Sequence, residues 1–570
     1  MTLLRKTVSI VALTAFIAAC SGSDEGNIGR LGRLGQDDLK DIFAELHEHI
    51  AVLASDEFGG RAPATEGEAL TTAYLVQQFR ALGLAPGNGD SYLQPVPVTE
   101  LRTDANVSLA VRGRDFNAEL TFGDDMVVST ERQVVSTALV DSEIVFIGYG
   151  IVAPERNWND YAGVDVKGKT VLILVNDPGY ATQDESLFNG NAMTWYGRWV
   201  YKYEEAARQG AAGALLIHDT GAAAYGWDVV YNGWSGPQIS LTAADSNRDK
   251  SEVIGWLSQA SARSLFAAAG IDYDEQVAAA ARPGFRALPL GDFRASITLR
   301  NTLRNSTSDN VIAIIPGSQR PDETIIYTAH WDHLGTNPQV EGDNIYNGAQ
   351  DNASGTAGLL SLARLFSELP EPPERTVVFL AVTAEEAGLL GSRWYTDNPL
   401  YPLATTVANL NMDGLGVDGP MRDMVVVGHG NSELEDYLAV AVARQKGRYV
   451  AAEPHPERGY YYRSDHFNFA RHGVPALYAK SGEDSLDHGA EWGARQMQEY
   501  TDKRYHSVHD DYDPTWDLSG AALDIMLYFD IGLRLSMEST FPDWYPGTEF
   551  KGVRDASAAM RQQPRATGNR

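Results

Sequence analysis

The second half of the chain alternates between apolar strand-like runs and helical segments, and this alternation restricts the possible folds more than any other feature. The strand-like runs are 311–315, 325–328, 377–382 and 407–410. Apolar residues recur at helical spacing over 356–366 and 389–395. Strands that alternate with helices form a sheet with helices packed on its faces. The sequence therefore predicts an α/β fold, in which a mixed sheet is flanked by helices.

Polar groups that can bind a metal ion follow three of these strands directly. His330 and Asp332 follow the second strand, Glu385 and Glu386 the third, and Asp413 the fourth. Ligands of α/β sheets bind beyond the carboxyl ends of the strands, so we expect these side chains to lie near one another. Two further candidates stand in loops, Asp351 before a helix and His506 near the end of the chain.

The low cysteine content limits which side chains can bind a metal ion. Cys20 is the only cysteine among the 570 residues. Because we expect it to be lipidated, disulfides, thiolate ligands and cysteine nucleophiles are excluded. Two histidines with three carboxylates are then a donor set that suits a pair of zinc ions. The formal net charge of −30 argues against nucleic acid as a partner, since that needs a basic surface.

Residue spacing within the strand-end motifs indicates separate roles. Side chains two positions apart on a strand point to the same face, so Asp332 can accept the second imidazole N–H of His330 and fix its ring. Neighbouring side chains diverge, which lets one carboxylate of Glu385 and Glu386 bind a metal while the other stays free to transfer protons.

These motifs resemble those of the zinc aminopeptidase and glutamate carboxypeptidase family, metallopeptidase family twenty-eight. The resemblance is strong from 310 to about 517 and weak over 53–61. It implies two zinc ions, bound by His330, Asp413, Glu386 and His506, with Asp351 as the bridge. It further implies roles for Glu385 as general base, Asp332 as the residue behind His330, and Tyr505 as a donor to the oxyanion.

Several other residues near these motifs stay open. His333 and His509 compete with His330 and His506, which the resemblance favours as ligands. Asp465 and His466 lie in an Arg-Ser-Asp-His segment that also resembles a family motif, and they are either pocket-lining or a buried structural pair. Of the three tyrosines at 460–462, we expect at least two to be core or rim aromatics.

The middle of the chain has a different character, with short β-like runs separated by turns. Its segments at 148–151, 160–169 and 210–217 resemble a protease-associated domain. In relatives, such a domain shapes the active-site entrance and is not itself catalytic. We therefore expect a β-rich protease-associated insert over 106–297, between a peptidase segment at 36–105 and the zinc peptidase domain at 298–545.

The N-terminal end of the chain resembles a processing and anchoring signal, and the C-terminal end is polar. Arg5 and Lys6 precede an apolar run that is too short to span a bilayer comfortably. The run ends in Ile-Ala-Ala-Cys at 17–20, which resembles the lipobox of bacterial lipoproteins. We expect a signal peptide over 1–20, a flexible tether over 21–35 and a polar tail over 546–570 that is unstructured from about residue 551. The chain would then be lipid-anchored through Cys20 at the cell envelope, or secreted.

The function that these observations predict is metal-assisted removal of N-terminal residues from peptide substrates. One alternative is a carboxypeptidase or dipeptidase that uses the same two zinc ions. Arg463 could bind a substrate carboxylate, whereas Glu453, Glu457 or Asp465 could bind a free amine. Two further alternatives are a metal-stabilised binding or receptor-like protein, and an acyl-transfer or cyclising enzyme with a single zinc ion. No pattern in the sequence indicates an oligomeric state.

Overall fold

The computed structural model describes residues 35–561, except residues 114 and 339. The expected signal peptide, Cys20 and all of the tether before residue 35 lie outside the described residues. Among the helices that are described, none is both long enough and apolar enough to cross a membrane.

The strands follow one another from residue 85 to residue 481. The first thirteen are β1 (Ala85–Pro86), β2 (Leu93–Thr103), β3 (Ser108–Gly113), β4 (Phe116–Thr121), β5 (Met126–Ser129), β6 (Ser136–Phe146), β7 (Val152–Ala153), β8 (Trp158–Asn159), β9 (Thr170–Leu174), β10 (Gly213–Ile217), β11 (Gln238–Leu241), β12 (Val253–Leu257) and β13 (Leu288–Ile315). The others are β14 (Arg320–His330), β15 (Gly335–Thr336), β16 (Ile345–Tyr346), β17 (Arg375–Val382), β18 (Thr406–Asn411), β19 (Asp423–Val426), β20 (Tyr449–Ala452) and β21 (Ala476–Ser481).

The helices flank these strands. The first eight are α1 (Gln36–Leu53), α2 (Glu66–Ala81), α3 (Pro178–Thr182), α4 (Trp199–Arg208), α5 (Thr220–Ala223), α6 (Trp227–Ser235), α7 (Gln259–Ala268) and α8 (Tyr273–Ala280). The others are α9 (Ser354–Ser367), α10 (Leu390–Asp397), α11 (Leu434–Val442), α12 (His466–Arg471), α13 (Ala490–Lys503), α14 (Ser519–Met537) and α15 (Lys551–Arg561).

The predicted mixed sheet flanked by helices is confirmed. Strand β17 pairs with β14, β14 with β18, and β18 with β21, all in parallel, while β13 adds to β17 in the antiparallel sense. His330 stands opposite Val382 in this register, and Thr328 opposite Asn411. The carboxyl ends of β14, β17 and β18 therefore meet at one edge of the sheet.

The helices bury apolar stripes against this sheet. In α1 the side chains of Ile42, Leu46, Ile50 and Leu53 are fully buried, as their helical spacing predicts. Burial of one such side chain contributes roughly 1.5–3 kcal/mol. Strand β17 is buried along its whole length, because helices cover both of its faces.

A second sheet lies in the middle part of the chain. It joins β4, β3, β13, β6, β9, β10, β12 and β5 in order of pairing, with parallel pairs from β6 to β12. Strand β13 runs through both sheets without interruption, so the predicted boundary at 297 falls inside a strand. The boundaries of the insert stay predictions.

The C-terminal segment differs from the expected unstructured tail. Residues 551–561 form α15, and the side chain of Arg554 is buried under it. Its guanidinium donates to the carbonyls of Thr406 and Val407, at 3.0 and 3.4 Å. The polar composition of this segment gives no sign of a packed helix. The helix is held through one buried arginine, which binds backbone carbonyls at the start of β18.

Candidate metal centre

Five predicted ligand residues come together at the carboxyl edge of the central sheet. Each comes from a different local structure: His330 ends β14, Glu386 follows β17, Asp413 follows β18, Asp351 lies in the turn before α9, and His506 follows α13. Parallel strands end at a common edge, so three of these positions are fixed by the pairing register.

One group of donors surrounds Nε2 of His330. This atom lies 3.4 Å from Oδ1 of Asp351 and 3.3 Å from Oδ1 of Asp413. The side chain of His330 is fully buried, and that of Asp351 nearly so. Nε2 of His330 is thus close to one oxygen of each of the two aspartates.

The second group surrounds Nε2 of His506 and uses the other oxygen of the same aspartate. Nε2 lies 3.2 Å from Oδ2 of Asp351 and 3.1 Å from Oε2 of Glu386. Asp351 therefore directs one carboxylate oxygen to each group. This is the arrangement that a carboxylate bridging two ions requires.

The donor set fits zinc by both its chemistry and its spacing. Imidazole nitrogen and carboxylate oxygen bind zinc at about 2.0–2.2 Å, which places neighbouring donors of a tetrahedral site about 3.3 Å apart. The four distances given above run from 3.1 to 3.4 Å. Sets of at least three such groups that could bind a metal ion include His330, Asp351 and Glu386, and also His330, Glu385 and Asp413.

Asp332 acts on this centre differently from the sequence expectation. Nδ1 of His330 lies 3.2 Å from the backbone oxygen of Asp332 and 3.8 Å from its carboxylate. The carboxylate instead accepts the backbone N–H of Glu385 at 3.0 Å and that of Glu386 at 3.4 Å. Asp332 therefore orients the imidazole through its carbonyl and fixes the glutamate pair through its side chain.

The side chains of the two adjacent glutamates face different partners. Glu386 directs Oε2 to His506, while its Oε1 lies 2.7 Å from Nδ1 of His333. Glu385 instead faces His330 and Asp413. His333 is thus an outer partner of Glu386, and His509 is exposed to solvent.

A buried aspartate that sequence analysis did not single out positions the loop of Asp351. The carboxylate of Asp510 is fully buried and accepts the backbone N–H groups of Gln350 and Asp351 at 3.1 and 3.0 Å. The same loop approaches Gly348 so closely that a Cβ there would lie 2.3 Å from the carbonyl oxygen of Asp351. Gly348 also has a φ of 55°, which disfavours any other residue.

Asp413 is oriented by a chain of buried polar side chains. The amide of Asn409 donates to Thr328, whose hydroxyl donates to Asn411 at 2.6 Å. The amide of Asn411 donates to Ser464 at 2.8 Å, and the hydroxyl of Ser464 donates to Oδ2 of Asp413. The other oxygen of Asp413 is left to face His330.

Burial and neighbouring charges shift the pKa values of these groups in different directions when no metal is bound. Burial disfavours charge on His506, but the carboxylates of Glu386 and Asp351 outweigh it and raise the histidine pKa to about 10. Burial would raise the pKa of Glu386, but the charge of His506 prevails and lowers it to about 2. Burial raises the pKa of Glu385 well above its usual value, against the charge of His330. The pKa values of the two neighbouring glutamates are thus shifted in opposite directions.

A cavity of about 180 Å³ lies beside the centre. Asp351, Glu385, Asp413 and His506 line it together with Tyr505. The ring of Tyr505 stacks on that of His506 with 4.0 Å between centroids. Burial and the nearby carboxylates, Asp351 among them, raise the pKa of Tyr505 well above its usual value, so its hydroxyl keeps its proton.

The residues that support the site carry weaker sequence signals than the candidate ligands do. Arg61, Ser464 and Asp510 lie inside the segments that resemble the family, but nothing in their spacing indicates what they contact. Of the three consecutive tyrosines, Tyr461 is buried and Tyr460 lines the cavity. Asp465 is fully buried, accepts the hydroxyl of Ser392 at 2.5 Å and is not among the residues that line the cavity.

Fold and site together define an α/β protein with a cluster of histidines and carboxylates at the edge of its sheet that could hold metal ions. Residues 310–530 match Peptidase family M28. This segment is less than half of the chain, and it contains all the candidate ligands.

Two curated proteins illustrate the relationship. The chain is 36% identical to Aminopeptidase NAALADL1 of Mus musculus over 140 residues, which are 23% of this chain and 17% of that protein. It is 37% identical to Aminopeptidase YwaD of Bacillus subtilis over 114 residues, which are 20% of this chain and 23% of the relative. The matches thus span less than a quarter of the length of either relative.

Solved structures resemble the chain over a longer range at lower identity. An aminopeptidase from Aneurinibacillus sp. strain AM-1 covers 89% of this chain and 97% of its own, with 19% identity and a TM-score of 0.49.

Proposed function

We propose that this protein is a zinc-dependent exopeptidase with two ions, and that it removes N-terminal residues from peptides. The observation that supports this proposal most is the position of Asp351. One of its carboxylate oxygens faces the group around His330, and the other faces the group around His506. The match of 310–530 to a peptidase family and the names of the curated relatives, which are aminopeptidases, support the same class.

His330 and Asp413 would hold one ion, Glu386 and His506 the other, and Asp351 would bridge them. When bound, zinc supplies a Lewis acid that polarises a carbonyl and lowers the pKa of water toward neutrality. His330 and Asp351 are buried away from bulk water, which strengthens the electrostatic interaction between them.

Glu385 is the general base of this proposal. It lines the cavity and binds neither neighbouring histidine at hydrogen-bond distance, while Asp332 fixes its backbone. From this position its carboxylate can take a proton from the attacking water and deliver it to the leaving amine. Glu386 is less suited to this role, because its Oε2 lies 3.1 Å from Nε2 of His506 and its Oε1 lies 2.7 Å from Nδ1 of His333.

Tyr505 would stabilise the oxyanion. Its hydroxyl stays protonated, and its ring is held against His506 at the cavity wall. A protonated donor aimed at the developing negative charge is worth about 2.7–4 kcal/mol in comparable oxyanion holes.

The experiment that tests this function compares free and blocked N-termini. The chain from residue 21 onward is assayed with amino-acid anilides and short peptides, each with a free and with an acetylated amine, before and after chelation. We expect cleavage of free-amine substrates alone, loss of activity on chelation and recovery with zinc. Cleavage of acetylated peptides from the carboxyl end would replace the proposal with carboxypeptidase activity. Retention of two zinc ions without any cleavage would favour the binding-protein alternative.

We further propose that residues 106–297 act as a protease-associated insert beside the cavity. Two contacts support this position: the N–H of Met193 donates to Pro456 at 3.1 Å, and Trp195 packs on Phe467 with 4.8 Å between ring centroids. Lipid attachment at Cys20 and exposure at the cell envelope are part of the same proposal. Fractionation of cells that express the chain with Cys20 or with Cys20→Ala tests the anchor.

A further inference from the structure

The cavity beside the metal centre is also lined by two cations, Arg463 and Lys480. Both side chains are half-buried. Neither forms an ion pair or a side-chain hydrogen bond with any residue that the structure describes. This is unusual in a chain with 76 acidic and 46 basic residues, where carboxylate partners are abundant.

Aromatic rings hold the two cations in place. The guanidinium of Arg463 lies over the ring of Tyr460, 5.2 Å from its centroid. The ammonium of Lys480 lies over the same ring at 5.8 Å and over that of Tyr478 at 5.7 Å. Such contacts fix the position of a cation without using its N–H donors, which therefore stay available to a ligand.

The insert adds a third positive charge behind this pair. Burial and the charge of Arg463 together lower the pKa of Arg198 to about 10. Its Nε is buried and has no hydrogen-bond partner among the described residues. Two guanidinium groups that repel each other in a half-buried position are a costly arrangement unless an anion joins them.

The acidic groups nearby do not neutralise this cluster. Burial raises the pKa of Glu453 and the charge of Lys480 opposes this with a smaller effect, but the two side chains form no ion pair. The carboxylate of Glu453 instead accepts the N–H of Gly428 at 2.8 Å. Glu385 acts on Arg463 through space only, and it belongs to the metal centre. The counter-charge is therefore expected from outside the chain.

We propose that Arg463 and Lys480, supported by Arg198, form a subsite for a carboxylate of the substrate. The subsite rests on the proposed function, because it opens on the same cavity as Glu385 and Asp413. Guanidinium and ammonium groups are the side chains that bind carboxylates through charge-assisted hydrogen bonds. The preferred substrates are then short peptides whose carboxylate reaches these cations, supplied either by the C-terminus or by an acidic side chain.

Steady-state kinetics with matched peptide pairs test the subsite. Leu-Leu is compared with Leu-Leu-amide, which lacks only the terminal carboxylate. Leu-Glu-amide is compared with Leu-Gln-amide, and Glu-Leu-amide with Gln-Leu-amide, which differ only in a side-chain charge. We expect at least one acidic member to exceed its neutral partner about tenfold in kcat/KM, mainly through KM. The pair that shows the difference identifies the source of the carboxylate.

Substitutions then assign the preference to the two cations. Lys480→Gln and Arg463→Gln should each reduce the acid-to-neutral ratio toward one, whereas Lys480→Arg keeps the charge and should retain most of it. The control is Lys40→Gln, which removes an exposed lysine of α1 whose ion pair is with Asp37, and it should leave the ratio unchanged. Circular dichroism and Tm show whether each variant is folded. If Arg463→Gln is unfolded, the comparison of Lys480→Gln with Lys480→Arg tests the subsite alone.

The outcomes separate this subsite from the exopeptidase proposal. Equal kcat/KM within all three pairs would overturn the subsite while zinc-dependent cleavage still supports the peptidase. A preference that survives both glutamine substitutions would also overturn it. If no peptide is cleaved, the exopeptidase proposal fails, and calorimetric titration with Leu-Leu and Leu-Leu-amide decides the subsite alone. Tighter binding of the acid, lost in Lys480→Gln, supports it, and equal binding refutes it.

Discussion

The buried guanidinium of Arg61 donates to the carbonyl of Gly348 at 2.8 Å, although 287 positions separate the two residues in the sequence. The same group donates to three more carbonyls, those of Asn347, Trp331 and Leu53. Arg61 therefore connects the segment after α1 to the end of β14, which carries His330, and to the loop that carries Asp351. One side chain positions two parts of the candidate metal centre.

Replacement of Arg61 should weaken both the fold and the metal centre. In Arg61→Met the four carbonyls lose a charged donor in a buried place, and we expect a loss of about 3 kcal/mol in the free energy of unfolding. Urea unfolding of the metal-free chain measures this loss, and competition with a coloured chelator measures zinc affinity.

The matched control for this prediction is Arg304→Met. Arg304 is exposed and pairs with Glu100 at the surface, so its removal should cost less than about 1 kcal/mol. Zinc affinity should stay unchanged in this control. Equal effects of the two substitutions would contradict the positioning role of Arg61.

Substitution of the proposed general base should separate turnover from metal binding. Glu385→Gln keeps the shape of the side chain but removes its ability to take a proton, so kcat should fall about 10²–10⁴-fold. Zinc content, measured by plasma mass spectrometry, should equal that of the wild type. Glu275→Gln, on an exposed position of α8, is the control for handling and should behave as wild type. Near-normal turnover of Glu385→Gln would assign the base to another group.

Much of the central fold could be predicted because its signals are local. The runs that became β14, β17 and β18 are mainly apolar, and α1 shows its buried stripe at regular spacing. Polar residues directly after such strands could also be located, because the strand ends fix where they go. The meeting of Glu385, Asp413 and His330 follows from that geometry.

The supporting contacts could not be predicted, because they join residues far apart in the sequence through backbone atoms. Asp510 binds N–H groups 159 and 160 positions away, and Arg61 binds carbonyls that carry no sequence signature. The same applies to α15, whose polar composition gives no sign of the buried Arg554. The carboxylate of Asp332 accepts the backbone N–H of Glu385 directly after Ala384, whose φ of 52° is likewise not indicated by the sequence.

The number of ions can be tested with the two aspartates. The wild-type chain should bind two zinc ions, counted by native mass spectrometry. Asp413→Asn removes a ligand from the His330 group alone, so about one ion should remain bound tightly. Asp351→Asn alters both groups at once and should weaken both ions, because each loses a charged oxygen. Equal stoichiometry in the two variants would contradict the bridging position of Asp351.

Zinc binding should release protons in a way that depends on His506. The charges of Glu386 and Asp351 overcome burial and raise the pKa of this histidine to about 10 in the metal-free chain. At pH 7 the imidazole is therefore protonated, and zinc must displace that proton because it binds only the neutral ring. Apparent zinc affinity should then rise with pH between about 6 and 9 and level off only near pH 10.

Calorimetry in buffers of different ionisation enthalpy measures this release directly. His506→Gln cannot carry the proton, so its zinc binding should release about one proton fewer at pH 7 and depend less on pH. His509→Gln is the control, because that residue is exposed and its loss should not alter the release. An unchanged proton count in His506→Gln would mean that the proton released at neutral pH comes from another residue, such as His330. Burial disfavours charge on His330, but Glu385 and the hydrogen bonds to Asp351 and Asp413 outweigh it and raise the pKa of this histidine well above its usual value.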